Sequence, residues 1–203
     1  MLCLSLLACN STGDAPAPAL DRVADALPFP KPVLDAAPRL AGEAGLPASS
    51  RQTLALQRAF FAGDFDTLEA AIAQSRDAFL AGQGDNGPLN RLLASLKGTQ
   101  LAGIDACADW LRARPDSYAA HLACASMWNS GAWAVRGNGF ADSVSEAQFS
   151  LMHERLARGN ALLERAITLT PKPVEALALL GDMLYSTGDR SRAEEHLARA
   201  DAL

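Results

Sequence analysis

The segment that decides the fold is residues 174–203, VEALALLGDMLYSTGDRSRAEEHLARADAL. Leu177, Leu180 and Leu184 recur at helical spacing in its first half, and Ala193, Leu197 and Ala200 do so in its second. An apolar stripe of this period is the mark of an amphipathic helix. Gly188-Asp189 between the halves is a turn signal. Two such helices joined by a short turn form a hairpin. Gly181 and Ala193 are small where the two helices must approach, and Ala200 leaves room for the next helix to pack.

The register continues upstream. Thirty-four residues before Ala200 is Ala166, and the same step leads from Leu197 to Leu163 and from Ala193 to Gly159. Pro171 follows, so ARGNALLERAITLTP reads as the second helix of a preceding unit. A weaker echo runs through Gly103, Cys107, Trp110 and Pro115, with Trp110 at a position that is otherwise small. Tyr118, His121, Cys124-Ala125 and Trp128 then fall at first-helix positions. This pattern resembles the tetratricopeptide repeat, a helix pair of about 34 residues. The resemblance implies an all-α fold: a tetratricopeptide-like α-solenoid of about eight helices in antiparallel hairpins.

Composition agrees. Alanine and leucine dominate, while valine and isoleucine together number 8 of 203 residues. Strands draw on β-branched residues and parallel sheets on Val/Ile runs, so a sheet-based fold is excluded. The helical period starts at Ser49. Capping boxes are expected at Ser49 with Gln52, Asp66 with Glu69, and Ser143 with Glu146, the last opening a long helix to about Thr170. Short helices follow from Leu89, Leu92, Leu93 and Leu96, and from Leu101, Ile104, Ala108 and Leu111.

One segment breaks the register, Val135-Arg136-Gly137-Asn138-Gly139-Phe140-Ala141-Asp142. The string Trp110…Pro115-Asp116-Ser117…Trp133-Ala134-Val135-Arg136-Gly137…Leu156…Ala166…Pro171 resembles an uncharacterised bacterial family of the domain-of-unknown-function kind. That family has a Trp-x-x-Arg-Gly signature and tetratricopeptide-like helices. The resemblance covers roughly residues 50–200 and implies a fold without a known activity. Its members extend further at the C-terminus, so this chain is expected to be a short form.

The N-terminus reads MLCLSLLAC. Leu6-Leu7-Ala8-Cys9 resembles a bacterial lipobox, which implies cleavage before Cys9 and lipidation of its thiol. The run lacks a basic residue ahead of it and is short for a secretory signal. A true start upstream of Met1 would supply both; with Met1 as the true start, a cytoplasmic location follows. Residues 10–48 hold seven of the 11 prolines and read as an extended Pro/Ala-rich linker. The order is therefore a remnant signal over 1–9, a linker over 10–48 and a helical domain over 49–203. Asn10 is not the Asp that resembles an inner-membrane retention signal, so the expected place is the periplasmic side of the outer membrane. Lipid chains alone would anchor the protein there. No apolar run is long enough for a transmembrane helix.

Cys107 and Cys124 leave two readings open. They can pair in an oxidising periplasm, or stay two small buried thiols, the commoner state of free cysteine and the one favoured.

The net charge of −5 and pI of about 5.2 argue against a nucleic-acid partner. Trp133 and Arg136 lie three apart at a helix end, where a guanidinium can cover the indole. As a structural corner, Arg136 bonds nearby carbonyls. As a recognition corner, it pairs with a partner's carboxylate, with Asn138 and Asp142 at the rim. The tetratricopeptide resemblance implies that Glu175, Ala178, Asp182, Tyr185 and Ser186 face a concave groove, as do Ala119, Leu122, Ser126, Asn129 and Ser130. Of these, Asp182 and Tyr185 are the binding candidates. His121, His153 and His196 match no metal spacing and read as surface or partly buried residues. Arg136-Gly-Asn-Gly-Phe follows no strand, so no dinucleotide loop or other cofactor site is read. The expected function is a non-catalytic scaffold for a protein or peptide partner on the bacterial envelope. The alternatives are a cytosolic assembly or immunity-type protein, and an enzyme built around Arg136, Asp142 and His153.

Overall fold

The computed structural model describes residues 45–97, 103–137, 139–140 and 143–203. Cys9, Asn138, Asp142 and all of the linker before residue 45 lie outside the described residues. Among the described residues there are eight helices and no strand. They are α1 Ala48–Ala62, α2 Phe65–Leu80, α3 Gly87–Lys97, α4 Gly103–Ala113, α5 Tyr118–Arg136, α6 Glu146–Thr168, α7 Val174–Ser186 and α8 Arg190–Asp201. The fold is the all-α helical repeat that the 34-residue register implies.

The expected helix starts shift by a few residues. α1 begins after Pro47 without a side-chain cap, so Ser49 and Gln52 form no capping box. α2 is capped by Asp64, which accepts from the Thr67 N–H, rather than by Asp66. The capping box of α6 is Ser145 with Gln148 instead of Ser143 with Glu146. For α2 and α6 a cap-competent residue lay two positions from the expected one, and the apolar stripe set the helix phase. Gly63, at φ 71, closes α1 in the left-handed conformation that glycine adopts without strain.

α5 is the axis of the domain. It packs on α6 along its length and also touches α2, α3, α4 and α7, while α7 pairs with α8 and α6. Every residue from Ala119 to Trp128 is buried. The small side chains Ala120, Ala123, Cys124 and Ala125 admit neighbours on several sides. The 34-residue register supplies the matching gaps. A Cβ on Gly159 of α6 would lie 2.5 Å from Met183 Cε and 3.4 Å from the Ala125 carbonyl oxygen. A Cβ on Gly181 of α7 would lie 2.7 Å from Leu197 Cγ and 3.3 Å from the Ala193 carbonyl oxygen.

Trp110, at the position the register keeps small, is fully buried. It stacks on Phe65 with centroids 5.7 Å apart, meets Phe60 edge-on and donates its indole N–H to Glu69 Oε1 at 3.2 Å. The large ring ties α4 to the α1–α2 pair, where the repeat pattern gives way to a different packing.

Cys107 on α4 and Cys124 on α5 are joined as a disulfide, against the favoured reading of two free thiols. Both are buried as that reading required. Their Cα atoms lie 5.7 Å apart, within the span a disulfide bridges. The bond closes a loop of 17 residues. Closing a loop of this size stabilises a fold by about 3 kcal/mol in the chain-entropy model. Reduction should therefore lower the melting temperature by roughly 6–12 °C. An identical melt with and without reductant would mean that the bond does not form.

Candidate functional site

The last turn of α5 and the segment just after it carry two exposed aromatic rings. Trp133 is 42 % and Phe140 87 % exposed. The Arg136 guanidinium sits over the Trp133 ring, 5.8 Å from its centroid. Its Nη1 also donates to the carbonyls of Gly137 and Gly139, each at 3.2 Å. Arg136 thus makes the contacts of a structural corner while its ring partner stays open to solvent. Gly137, at φ 74, reverses the chain here. Gln148 of α6 donates to the Val135 carbonyl at 3.2 Å and holds the end of α5 against α6.

A second exposed ring lies on α7. Tyr185 is 53 % exposed, with the Arg190 guanidinium 5.5 Å from its centroid. Asp182 is exposed one turn before it.

Of the other groove positions, Ser186 is exposed and Ala178, Asn129 and Ser130 are half-buried. Ala119, Leu122 and Ser126 are buried. α5 is packed against α2, α3, α4, α6 and α7, so these positions face neighbouring helices rather than solvent. Glu175 is also withdrawn from solvent. It accepts from the Tyr118 hydroxyl at 2.8 Å and lies 3.5 Å from Arg76 Nε. Arg76 covers the Tyr118 ring at 4.7 Å and donates Nη2 to Thr170 Oγ1 and to the Lys172 carbonyl. Burial, and then the Glu175 charge, push the Tyr118 phenol far above its ordinary value, so it stays a donor at every physiological pH. This network locks α2 to the start of α7.

Helical periodicity carries no sign of the buried cation Arg155 and the half-buried cation Arg158 on α6. Arg155 is 5 % exposed, and its Nη1 donates to the Gly131 carbonyl at 2.8 Å. Burial pushes its guanidinium below the ordinary arginine value, with Glu154 opposing and Arg158 adding to the shift. Arg158 lies over the Trp128 ring at 5.1 Å and donates Nη2 to Glu154 at 2.6 Å. A regular helical period predicts which face is apolar; it does not predict a charged residue on that face.

The histidines lie on three different helices. His121 is buried, in contrast to the expected surface or partly buried setting, and its Nδ1–H donates to the Ser117 carbonyl at 2.8 Å. His153 is exposed beside Phe149, and His196 is half-buried next to Arg199. Among the described residues no group of three or more His, Cys, Asp or Glu is placed to hold a metal ion. No described helix is long and apolar enough to cross a membrane.

The family model described as "Domain of unknown function (DUF4034)" matches residues 55–189. No curated protein and no solved structure matches the chain.

Burial pushes the His121 pKa below its ordinary 6.5, with Ser117 and Asp116 opposing and Arg165 adding. His196 is lowered too, first by burial and then by Arg199. The unfolded chain then binds more protons than the folded one below about pH 6.5, so stability rises with pH through that window and is complete above it. Denaturant melts at pH 5.5 and 7.5 should show lower stability at the acid end. In His121→Gln the difference should shrink; an unchanged difference in that variant would assign the effect elsewhere.

Proposed function

The chain belongs to the uncharacterised DUF4034 family, and from that premise we propose that it is a non-catalytic helical-repeat scaffold that binds a protein or peptide partner at the corner after α5. The observation that carries this reading is the two solvent-facing rings Trp133 and Phe140, the first of them under the Arg136 guanidinium. Tryptophan, other aromatics and arginine are the residues that dominate binding energies at protein interfaces. A ring already held in place by a guanidinium loses little freedom when a partner covers it. Tyr185, with Asp182 beside it and Arg190 over its ring, extends the reading to α7.

The same proposal places the protein on the bacterial envelope, anchored through lipidated Cys9 and spaced from the membrane by the Pro/Ala-rich linker. The lipobox-like Leu6-Leu7-Ala8-Cys9 and the order of signal, linker and helical domain support it. The buried Cys107–Cys124 bond supports it as well, since disulfides persist in oxidising compartments.

The test is crosslinking and capture from envelope fractions with the full chain as bait, beside a Trp133→Ala/Phe140→Ala variant shown to fold normally. Losing two anchors of this kind typically weakens binding by about 30-fold or more. A partner held by the wild-type chain and lost by the variant is the expected result; a normally folded variant that keeps every partner removes the corner from the proposal. Palmitate should label the wild-type chain and leave Cys9→Ala unlabelled, and an unlabelled wild type ends the lipoprotein part.

A further inference from the structure

We propose that the cleft between α1, α2 and α3 is a binding site for a small sugar acid, a molecule with several hydroxyls and one carboxylate. The cleft holds about 390 Å³ of free space. That lies within the range of small-ligand pockets. It shares no residue with the corner after α5 that carries the proposed partner site.

The walls supply a matched set of polar groups. Ser49, Gln52 and Thr53 come from the first two turns of α1, Ser75 from α2, and Arg91 and Ser95 from α3. The side chains of Ser49, Gln52, Thr53 and Arg91 make no hydrogen bond or ion pair among the described residues. The two hydroxyls and the amide of this group can each donate and accept. Ser75 and Ser95 differ. Their hydroxyls donate to the carbonyls of Ala71 at 3.0 Å and Leu92 at 2.6 Å, which leaves their oxygens free only to accept. A ligand hydroxyl is donor and acceptor at once and meets both kinds of wall group. Leu56 and Leu92, both buried, offer apolar surface to the C–H face of a sugar ring. Gln57 Nε2 donates to the Ser95 carbonyl at 2.7 Å and ties α1 to α3, so the walls are set before a ligand enters.

Charge selects the acid. Arg91 is the one charged side chain that lines the cleft. Asp85, the acidic residue nearest to it in sequence, accepts from the Gly87 N–H at 2.9 Å and does not pair with Arg91. The first turns of α1 and α3 hold no acidic residue. A guanidinium takes a carboxylate with two parallel hydrogen bonds. Arg91 is exposed at the mouth and Ser95 is buried at the base, so the carboxylate binds at the rim and the hydroxyls reach inward. One cation suits one negative charge, and a sugar phosphate would leave its second charge unmet. No aromatic ring lines the cleft, so a nucleobase has nothing to stack on.

Titration of the full chain with sodium glucuronate, followed by calorimetry and by backbone-amide NMR, tests this. Saturable binding with a Kd of about 1 mM or lower is expected, with amide shifts centred on Thr53, Ser75 and Ser95. Glucose lacks the carboxylate and acetate lacks the hydroxyls; each should bind about tenfold more weakly or less. Arg91→Gln should weaken glucuronate binding by about tenfold or more, and Thr53→Val, which keeps the shape and removes the hydroxyl, by about fivefold. Should Arg91→Gln fail to fold, Thr53→Val carries the same test. A disaccharide ending in glucuronate separates two sources of the acid. Binding as tight as the monosaccharide or tighter assigns the cleft to the end of a glycan, and weaker binding assigns it to the free acid. Glucose or acetate binding as tightly as glucuronate overturns the proposal. So does a chain that shows neither heat nor shifts with glucuronate at about ten times that Kd, or binding that is unchanged in a folded Arg91→Gln or Thr53→Val.

Discussion

The domain depends on how closely α5 and α6 can approach. A Cβ on Gly159 would already touch the Ala125 carbonyl oxygen and Trp128 Cβ of α5, both at 3.4 Å, and would collide with Met183 Cε at 2.5 Å. Interiors packed to crystal-like density transmit such a constraint outward. Because α6 lies this close, Met183 of α7 reaches the same spot, and α7 in turn closes on α8 through Gly181 and Leu197. A larger residue at Gly159 would push Met183 aside first, since its terminal methyl is the nearest and most mobile neighbour. The chain of contacts runs from α5 to α8 through positions spaced 34 residues apart, which is why a repeat period and a packing constraint are one fact here.

That constraint explains what could be read from the letters. Gly181, Ala193, Leu197 and Ala200, with Gly159, Leu163 and Ala166 behind them, specify the α5–α8 half because small and large residues at fixed intervals have one stacking solution. The N-terminal half was less legible. Its helices are plain in the periodicity, yet their arrangement rests on contacts between residues far apart in the chain. Trp110 bonds Glu69 across 41 positions, and Arg76 bonds Thr170 and Lys172 across 94 and 96. No local pattern encodes a partner at such distance. The groove positions Ala119, Leu122 and Ser126 failed for the same reason. The repeat register says which side of α5 a simple stack would leave open; it says nothing of how many other helices pack on α5. The Trp133–Arg136 contact was legible because both residues lie on one helix, three apart, where geometry leaves little choice.

The charged residues of the interior divide into two kinds. Arg76, Glu175 and Tyr118 form a network in which the charges compensate each other and the phenol donates to the carboxylate. Such a group fixes the relation of two elements, because breaking any one member leaves another buried without its partner. Arg155 differs. It ties α6 to the Gly131 carbonyl of α5, which any donor of the right reach could do, and among the described residues it makes no ion pair. A tie alone does not account for an arginine there; a serine or a glutamine would supply a donor at far lower desolvation cost.

The exposed rings follow a related logic. Trp133 and Tyr185 stand at the ends of α5 and α7, and each lies under a guanidinium, Arg136 and Arg190. A cation over an aromatic face gains attraction without closing the ring's other face or its edge. The ring is held in one orientation, yet its apolar area remains available. Free rotation would make a partner bear the entropy of ordering the side chain, and burial would remove the surface altogether. The arrangement at the end of α5 lies between the two, with Phe140 adding a second ring whose surface is almost wholly exposed. The core positions of this fold are taken by helices stacked on helices, so the places left for recognition are those where a helix stops.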